Sequence, residues 1–369
     1  MKLKINREQL LPAIQRAVSA VERRQTMPIL GNFLMSVEDG VLDVLATDLE
    51  MEVHARTRVD ADGDMQFTLP ARKMVDICRA LPENAEIVIE VSGDKAEIRS
   101  GSSRFNIVLF PAADFPGIQM DMPEVWLDVE EGRLKQLLNG TAFSMGVQDV
   151  RYYLNGMLWE VTPKRFRAVA TDGHRLALGE MDLDVTGDWD EQDVLVPRKT
   201  IMELIRILDA GKEPVRVEVG ERFVRVRKDD LMLTSKLIEG RYPDYNRVIP
   251  WDSPCKAMID RVLLKQALQR VAILSNEKYR GVRMEFSRDR LVVQASNPEQ
   301  ESAEESLPCE FDDSHGRLGI GFNVGYLMDI VSVIEGDMVE IQLKDSENSG
   351  LVKERNGEGF LYVVMPMRL

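Results

Sequence analysis

The amino-acid sequence predicts an α+β protein made of three repeated domains of about 125 residues. A turn motif carries the repeat, since Ala46-Thr47-Asp48, Ala170-Thr171-Asp172 and Ala295-Ser296-Asn297 stand 124 and 125 residues apart. A second landmark is a strand-to-helix junction at Pro70, at Pro197 and at residue 323, with intervals of 127 and 126 residues. A length of 369 residues suits two or three domains. The two landmarks together favour three.

The elements of each third follow one order. An amphipathic helix opens it, at residues 7–18, 131–138 and 261–268. A pair of alternating strands then leads into the turn motif, another strand runs into a second helix, and further strands close the unit. Proline suits the first position of a helix, and Asn323 suits a helix cap. We therefore predict domains at 1–123, 124–251 and 252–369.

Composition indicates a soluble globular protein, with 44% hydrophobic residues, 30% charged residues and a net charge of −15. No apolar run approaches the roughly 20 residues of a membrane span, and the N-terminus has no signal-peptide apolar region, so a cytoplasmic location is expected. Cys78, Cys255 and Cys309 are widely separated and lack metal-ligand spacing. We expect neither a disulfide nor a metal site, and no cofactor.

The stretch Ala170–Leu176 has the residue types of a catalytic site, because Asp172 and His174 resemble an acid/base pair. No nucleophile elbow, phosphate loop or metal cluster accompanies them, and Asp48 recurs at the same turn without a histidine two residues later. An Asp at a turn usually accepts hydrogen bonds from its own backbone. A hydrolase built on this pair is the alternative function. The repeat leaves 173–176 unexplained.

A glycine-rich loop at Gly319–Gly325 joins a predicted strand to a predicted helix, as a dinucleotide-binding loop does. Its spacing does not fit G-x-G-x-x-G, and the equivalent loops contain Pro, Arg and Lys. We interpret it as an ordinary strand-to-helix junction.

Basic side chains concentrate on the predicted helices, whereas acids lie more in strands and loops such as 60–64 and 299–305. A solvated helix face is the usual explanation of such charges. This distribution also suits a polyanion that is encircled better than one that is tightly gripped. A monomeric DNA-binding scaffold is a third possibility.

The sequence closely resembles the bacterial sliding clamps, the beta subunits of replicative DNA polymerase, and the resemblance covers the whole chain. It rests on ordered blocks: LPARK at 69–73, FPAADFP at 110–116, QDVRYYLNGM at 148–157, ATDGHRLA at 170–177, VPRK at 196–199, YPDY at 242–245, AILSNEKYRGVR at 272–283, ASNPEQE at 295–301, GFNVGYL at 321–327 and YVVMPMRL at 362–369.

The resemblance implies three clamp domains in a head-to-tail homodimer, a ring with helices lining the hole and antiparallel sheets outside. Such a ring is a non-catalytic processivity factor that encircles double-stranded DNA. A 125-residue domain has a radius of gyration of about 14 Å. Six such domains leave a hole of roughly 36 Å, wider than a duplex.

The resemblance also assigns residues to two surfaces. DNA contact without base reading is implied for Arg24, Gln148, Tyr152, Tyr153 and Lys199. Dimer contact is implied for Phe105, Ile107, Ile273 and Leu274, with Arg104 and Lys73 near the acids of 299–305.

A third surface is a pocket for short peptides of polymerase subunits, the clamp loader and other partners. The residues implied are Leu154, Thr171, Gly173, His174, Arg175, Leu176, Pro243, Arg247, Val248, Asn323, Tyr326, Ser349, Met365, Pro366, Met367 and Arg368. Glu347 and Tyr279 depart from the family pattern and bear on peptide preference.

Overall fold

The computed structural model describes residues 1–21, 27–118, 122–185, 189–312, 316–355, 357 and 359–368. The chain packs as two compact units. One contains Met1–Gly132 with Arg206–Leu237, and the other contains Arg133–Ile205 with Ile238–Leu369.

Helices and strands follow the same order in each third of the chain. The first third has β1 Lys2–Asn6, α1 Arg7–Ala17, β2 Asn32–Glu38, β3 Val41–Thr47, β4 Met51–Arg58, β5 Asp60–Ala61, β6 Met65–Pro70, α2 Ala71–Ala80, β7 Glu86–Ser92, β8 Lys95–Ser100 and β9 Ser103–Val108. The middle third has β10 Val125–Glu130, α3 Glu131–Ala142, β11 Gly156–Thr162, β12 Arg165–Thr171, β13 Arg175–Asp182, β14 Gln192–Pro197, α4 Arg198–Ile207, β15 Pro214–Val219, β16 Phe223–Lys228 and β17 Leu231–Lys236. The last third has β18 Cys255–Asp260, α5 Arg261–Val271, β19 Gly281–Ser287, β20 Arg290–Ser296, β21 Ser302–Pro308, β22 Glu310–Phe311, β23 Leu318–Asn323, α6 Val324–Val333, β24 Met338–Leu343, β25 Gly350–Glu354 and β26 Phe360–Val364.

All strand pairs of the described residues are antiparallel. The first unit holds a sheet in the order β5-β1-β7-β8-β9 and an eight-stranded sheet in the order β10-β15-β16-β17-β4-β3-β2-β6. The second unit holds a nine-stranded sheet, β14-β11-β12-β13-β26-β25-β24-β18-β22, and a four-stranded sheet, β21-β20-β19-β23.

The sheets are built from one repeated pattern. The order β6-β2-β3-β4 in the first third recurs as β14-β11-β12-β13 and as β23-β19-β20-β21. The order β1-β7-β8-β9 recurs as β10-β15-β16-β17 and β18-β24-β25-β26. The predicted α+β class and its threefold repeat are therefore confirmed.

The helices bury their predicted apolar faces. Leu10, Ile14 and Ala17 of α1 are fully buried, and Leu264 and Leu268 of α5 occupy the same positions of the pattern and are buried too. Burial of such a stripe, more than intrinsic propensity, stabilises a short helix.

The strand-to-helix junctions match the prediction with one shift. Asn323 caps α6, because its Oδ1 accepts hydrogen bonds from the N–H groups of Gly325 at 2.8 Å and Tyr326 at 3.3 Å. Pro70 and Pro197 end their strands and stand one position before the first helical residue. Proline lacks an N–H group and fits the end of a strand equally well.

Candidate functional site

The turn between β12 and β13 is held by hydrogen bonds from its own residues. Thr171 Oγ1 donates to the carbonyl oxygen of Arg175 at 2.6 Å. Asp172 Oδ1 accepts from the backbone N–H groups of His174 at 2.9 Å and Arg175 at 3.1 Å. The Asp172 carboxylate is thus an ordinary turn-forming group.

The equivalent turn between β3 and β4 repeats this pattern. Thr47 Oγ1 donates to the carbonyl oxygen of Met51 at 3.0 Å. Asp48 Oδ1 accepts from the N–H groups of Glu50 at 2.9 Å and Met51 at 2.7 Å. The predicted structural role of the Thr-Asp pair is confirmed by this match.

Gly173 shows how much of the turn the repeat explains. Its φ of +86° is the left-handed conformation, and Leu49 adopts φ of +77° at the same place in the first third. The backbone shape therefore belongs to the repeat. A Cβ at Gly173 would lie 2.9 Å from the guanidinium nitrogens of Arg151, so glycine leaves room for this flexible side chain, but the turn itself does not require it.

Arg175 ties the turn to two helices. Its Nε donates to Asp172 Oδ2 at 3.0 Å, its Nη2 donates to the carbonyl oxygen of Phe143 at 2.7 Å, and its Nη1 pairs with Asp329 on α6. The guanidinium also lies 4.5 Å from the centre of the Tyr326 ring. Most of the side chain is buried in these contacts.

His174 is placed by the C-terminal segment. Its ring stacks on that of Tyr326, with centroids 6.5 Å apart and planes 21° apart. Its carbonyl oxygen accepts the N–H of Met365 at 3.0 Å. Both oxygens of Asp172 are occupied by the turn and by Arg175. The hydrolase alternative therefore receives no support from this geometry.

A cavity of about 200 Å³, here called the apolar cavity, opens beside this turn. Its walls are Arg151, Tyr153, Leu154, Thr171, Gly173, Arg175, Leu176, Pro243, Asp244, Tyr245, Val248, Val363 and Met365. Below it lies a buried cluster that includes Val169, Leu178 and Ile249. A few polar groups around an apolar floor are typical of a ligand site.

Eight predicted pocket residues line this cavity: Leu154, Thr171, Gly173, Arg175, Leu176, Pro243, Val248 and Met365. His174 and Tyr326 adjoin it through the contacts of Arg175. Arg247 forms an ion pair of 2.9 Å with Asp244 and is largely exposed.

The other predicted residues lie elsewhere. Met367 and Arg368 line a more open cavity of about 630 Å³ with Tyr279, Arg283 and Glu304. Asn323 stands near it, because its Nδ2 donates to the carbonyl oxygen of Tyr279 at 3.3 Å. Ser349 and Pro366 line neither cavity.

The C-terminal segment runs between the two cavities. Met365 lines the apolar cavity, while the N–H of Met367 donates to the carbonyl oxygen of Gly321 at 2.7 Å. Pairing on both sides fixes the segment in place, so the side chains of this short tail face different cavities.

Several wall residues were not predicted for the pocket: Arg151, Tyr153, Asp244, Tyr245 and Val363. Asp244 and Tyr245 belong to the YPDY block, which already pointed there. Val363 reaches the wall because it pairs with Leu176 across β26 and β13, a contact that no local pattern reveals. Tyr153 was assigned to DNA, yet it borders the apolar cavity.

The predicted DNA-contact residues cluster around the loop of residues 143–155, between α3 and β11. Arg24 is the exception, because it lies outside the described residues. Asn155 holds the loop through two 2.8 Å bonds to the backbone of Asp149. Its carbonyl oxygen accepts the N–H of Arg198 at 3.0 Å, which brings Lys199 on α4 close to the loop. Gln148 and Tyr152 are exposed there, as phosphate contact requires.

The predicted dimer residues lie at two sheet edges. Phe105 and Ile107 are on β9, the last strand of its sheet. Ile273 and Leu274 form a short 3-10 turn after α5, which packs against β21. The Ile273 side chain is 76% exposed. An exposed isoleucine beside a sheet edge is suited to a partner surface.

Models of the DNA polymerase III beta subunit match the chain in three consecutive parts: the N-terminal domain at 1–120, the central domain at 128–244 and the C-terminal domain at 246–368. The beta sliding clamp of Escherichia coli strain K12 is 45% identical over 372 residues, covering 100% of both chains. The chain belongs to the DNA polymerase III beta subunit family.

Solved clamps agree with this assignment. The crystal structure of the DNA polymerase III subunit beta from Pseudomonas aeruginosa superposes with a TM-score of 0.96, at 44% identity and with 100% of each chain covered. A sliding clamp of the same organism, solved bound to griselimycin, has the same TM-score and identity over 100% of both chains.

Membership of the clamp family confirms the predicted function. The protein is a processivity clamp that tethers partners during DNA replication, and it is not an enzyme. No helix within the described ranges is long and apolar enough to cross a membrane. Across those same residues, no cluster of His, Cys, Asp and Glu could hold a metal ion.

Proposed function

We propose that two copies of this clamp close head-to-tail into a ring around duplex DNA in the cytoplasm, with the helices facing the hole. The ring slides without reading sequence and holds polymerase, clamp-loader and other partner peptides in the apolar cavity. Each copy contributes three clamp domains, for which we propose the boundaries 1–123, 124–251 and 252–369.

The observation that supports the ring is a joint between neighbouring thirds of the chain, an antiparallel strand pair that occurs twice. Strand β17 pairs with β4, which joins the middle third to the first. Strand β26 pairs with β13, which joins the last third to the middle. The equivalent strands that remain are β9 and β21, and each stands at the end of its sheet. A second copy supplies the missing partner for both strands.

Both internal joints have the same register. Thr234 lies opposite Glu52 in one, and Val363 lies opposite Leu176 in the other. Glu52 and Leu176 occupy equivalent positions, because each pairs with the threonine of its own turn motif, Thr47 or Thr171. The same strand pairing, with the same register, therefore occurs at both joints within the chain.

Applying this register to β9 and β21 predicts the pairs between two copies. The last residue pair before the turn of the β8–β9 hairpin includes Ser103, and that of the β16–β17 hairpin includes Leu231. Asn106 and Thr234 each lie three residues further along, so they are counterparts. Ser302 is the counterpart of Glu52, since it faces Ser296 across β20 and β21. Asn106 of one copy then faces Ser302 of the other.

The predicted register is chemically favourable. It places Phe105 opposite Ala303 and Arg104 opposite Glu304, an apolar pair beside an ion pair. The side chain of Arg104 is 63% exposed in the single chain. Ile273 and Leu274 add apolar surface, and Lys73 adds a positive charge towards the acids of 299–305.

DNA contact is proposed for Gln148, Tyr152, Tyr153 and Lys199, together with Arg24. Amide, phenol and ammonium groups donate hydrogen bonds to phosphate and sugar without distinguishing bases. The net charge of −15 opposes tight binding of DNA as a whole. A local basic contact inside an acidic protein therefore favours sliding over gripping.

The ring is tested by loading the protein onto nicked circular DNA with a bacterial clamp loader and ATP. Retention in 1 M salt that is lost when the circle is linearised supports encirclement. Equal retention on linear DNA contradicts it. Sedimentation of the free protein provides the control, because a ring of two chains requires twice the mass of one, whereas a monomeric scaffold does not.

A further inference from the structure

A second cavity adjoins the apolar cavity, and it has a different chemistry. It measures about 300 Å³ and is lined by Leu158, Glu160, Asp193, Leu195, Gly240, Arg241, Tyr242, Pro243, Asp244, Tyr245 and Asn246. Three of these described residues are acids and one, Arg241, is a base. We call it the acidic cavity.

The two cavities lie on either side of one short segment. They share Pro243, Asp244 and Tyr245 as walls. The Tyr245 hydroxyl donates to Glu160 on β11 at 2.7 Å and accepts from Arg167 on β12 at 2.9 Å. Tyr245 therefore stands over β11 and β12, the second and third strands in the sheet order, between an apolar site over β12, β13 and β26 and an acidic one over β11 and β14.

Strand geometry gives the distance between the cavities. Their centres are about two and a half strand spacings apart across the sheet, about 12 Å, and roughly three residues apart along it, about 10 Å. The separation is then about 16 Å. An extended peptide covers this distance in about five residues.

Asp193 is the acid in this cavity that remains available to a ligand. Glu160 already accepts from Arg167 and Tyr245, and Asp244 pairs with Arg247. Among the described residues, no side chain forms a hydrogen bond or ion pair with the Asp193 carboxylate. Burial and the nearby carboxylates of Glu160 and Glu191 raise the pKa of Asp193. An incoming cation would relieve this crowding of negative charge.

The shape of the cavity suits a long basic side chain. Leu158 and Leu195 contribute apolar atoms to the cavity wall, while Asp193 offers the charge. Lysine and arginine pack their methylene stems on apolar surface and keep the charged end near a polar group. Glu160 and Asp244 are already paired with Arg167 and Arg247, so Asp193 is left to pair with a single cationic side chain.

We propose that the acidic cavity binds a lysine or arginine of the same partner peptide whose apolar side chains fill the apolar cavity, about five residues away. This inference rests on the proposed function of the apolar cavity. It adds a charge requirement to partner selection at that cavity.

The first test selects randomised dodecapeptides displayed on phage against the full-length clamp. Clones that lose binding to the Met365→Ala variant are kept, because they use the apolar cavity. Enrichment of Lys or Arg four to six positions from the selected apolar residues supports the inference, and it should disappear in selections on Asp193→Asn. An apolar consensus without basic enrichment overturns the inference and leaves the apolar cavity standing. Absence of an apolar consensus overturns both.

The second test measures affinity for one selected peptide and for its Lys→Ala analogue. If an accessible ion pair forms, the wild-type clamp should bind the lysine peptide about three- to fivefold more tightly than the analogue. This difference in affinity should fall at high salt. Asp193→Asn should abolish the difference. Asp190→Asn is the matched control, since it removes the same charge from an exposed position outside the cavity. An unchanged difference in Asp193→Asn, or an equal loss in both variants, contradicts the assignment.

Discussion

Arg175 Nη2 donates a 2.7 Å hydrogen bond to the carbonyl oxygen of Phe143, just past the end of α3. The carbonyl groups at a helix end lack partners within the helix. A side chain of the ATDGHRL motif therefore completes a neighbouring helix, and the motif supports the wall of the cavity more than it reacts with a ligand.

Replacing Arg175 with glutamine should lower thermal stability and weaken peptide binding. The change removes the donor to Phe143 and the partner of Asp329, and a buried unsatisfied group costs about 1–3 kcal/mol. Calorimetry measures the midpoint of unfolding. Arg247→Gln is the control, because Arg247 is exposed and its ion pair with Asp244 contributes little. Equal midpoints for the two variants would show that Arg175 has no such supporting role.

Replacing Met365 with alanine should weaken polymerase binding about tenfold. The side chain lines the apolar cavity and is 38% exposed, and loss of one central apolar contact typically costs 1–2 kcal/mol. Surface plasmon resonance with immobilised polymerase gives the affinity. Met122→Ala, at an 87% exposed methionine outside the cavity, should have no effect.

Deletion of residues 365–369 should abolish polymerase binding and leave the dimer intact. It removes Met365 and the bonds from the segment to His174 and Gly321, whereas β9 and β21 are untouched. Binding and sedimentation are measured on the same sample. Polymerase affinity equal to that of the full chain would refute the assignment of the pocket.

Exchanging the charges at the proposed dimer joint should break it and then restore it. Arg104→Glu and Glu304→Arg each place like charges opposite each other, which destabilises a strand pair. The double variant recovers the opposite charges. Sedimentation should show more monomer in each single variant than in the double variant. Three identical dissociation constants would mean that these residues do not face each other.

Replacing Lys199 with alanine should reduce the salt dependence of DNA binding. Each phosphate contact contributes nearly one unit to the slope of log affinity against log salt, so the slope should fall by about one for each copy of Lys199 that contacts a phosphate, or about two for the ring. Two duplexes of different sequence should respond alike, because phosphate is the target. Lys95→Ala, on β8, serves as the control. A loss confined to one duplex would indicate base reading instead.

His54 should give the protein a stability that declines in alkaline solution. Burial opposes its charge, but Asp43, 3.2 Å away, and Glu52 raise the pKa of His54 to about 9. The usual pKa is near 6.5. The stabilisation is therefore complete below pH ~6.5 and is lost as pH rises through about 9. The unfolding midpoint should fall more between pH 7 and 9.5 in wild type than in His54→Gln, and parallel curves would exclude this role.

Local patterns in the sequence were sufficient to predict the repeat and the helices. The recurrence of Thr47 and Thr171 in the turn motif was sufficient to predict two equivalent turns, because a turn is held by residues only a few positions apart. The buried faces of α1 and α5 follow from helical spacing for the same reason.

The remainder depends on contacts between distant parts of the chain. Val363 reaches the apolar cavity only through the pairing of β26 with β13. The contacts of Arg175 with α3 and α6 also arise from packing, so periodicity could not place its guanidinium. Family resemblance named most wall residues of the apolar cavity, while Met367 and Arg368 of the same predicted pocket line the larger cavity beside it.

The two joints inside the chain set where the proposed ring can be parted. Opening at β17–β4 or at β26–β13 would pull apart strands within a folded unit, with their shared cores. Opening between copies would separate only the proposed pairing of β9 with β21 and the side chains beside it. In the proposed ring, an energy-driven loader would need to act on one kind of seam, which is present twice, and the strength of that seam would set how long the clamp stays on DNA.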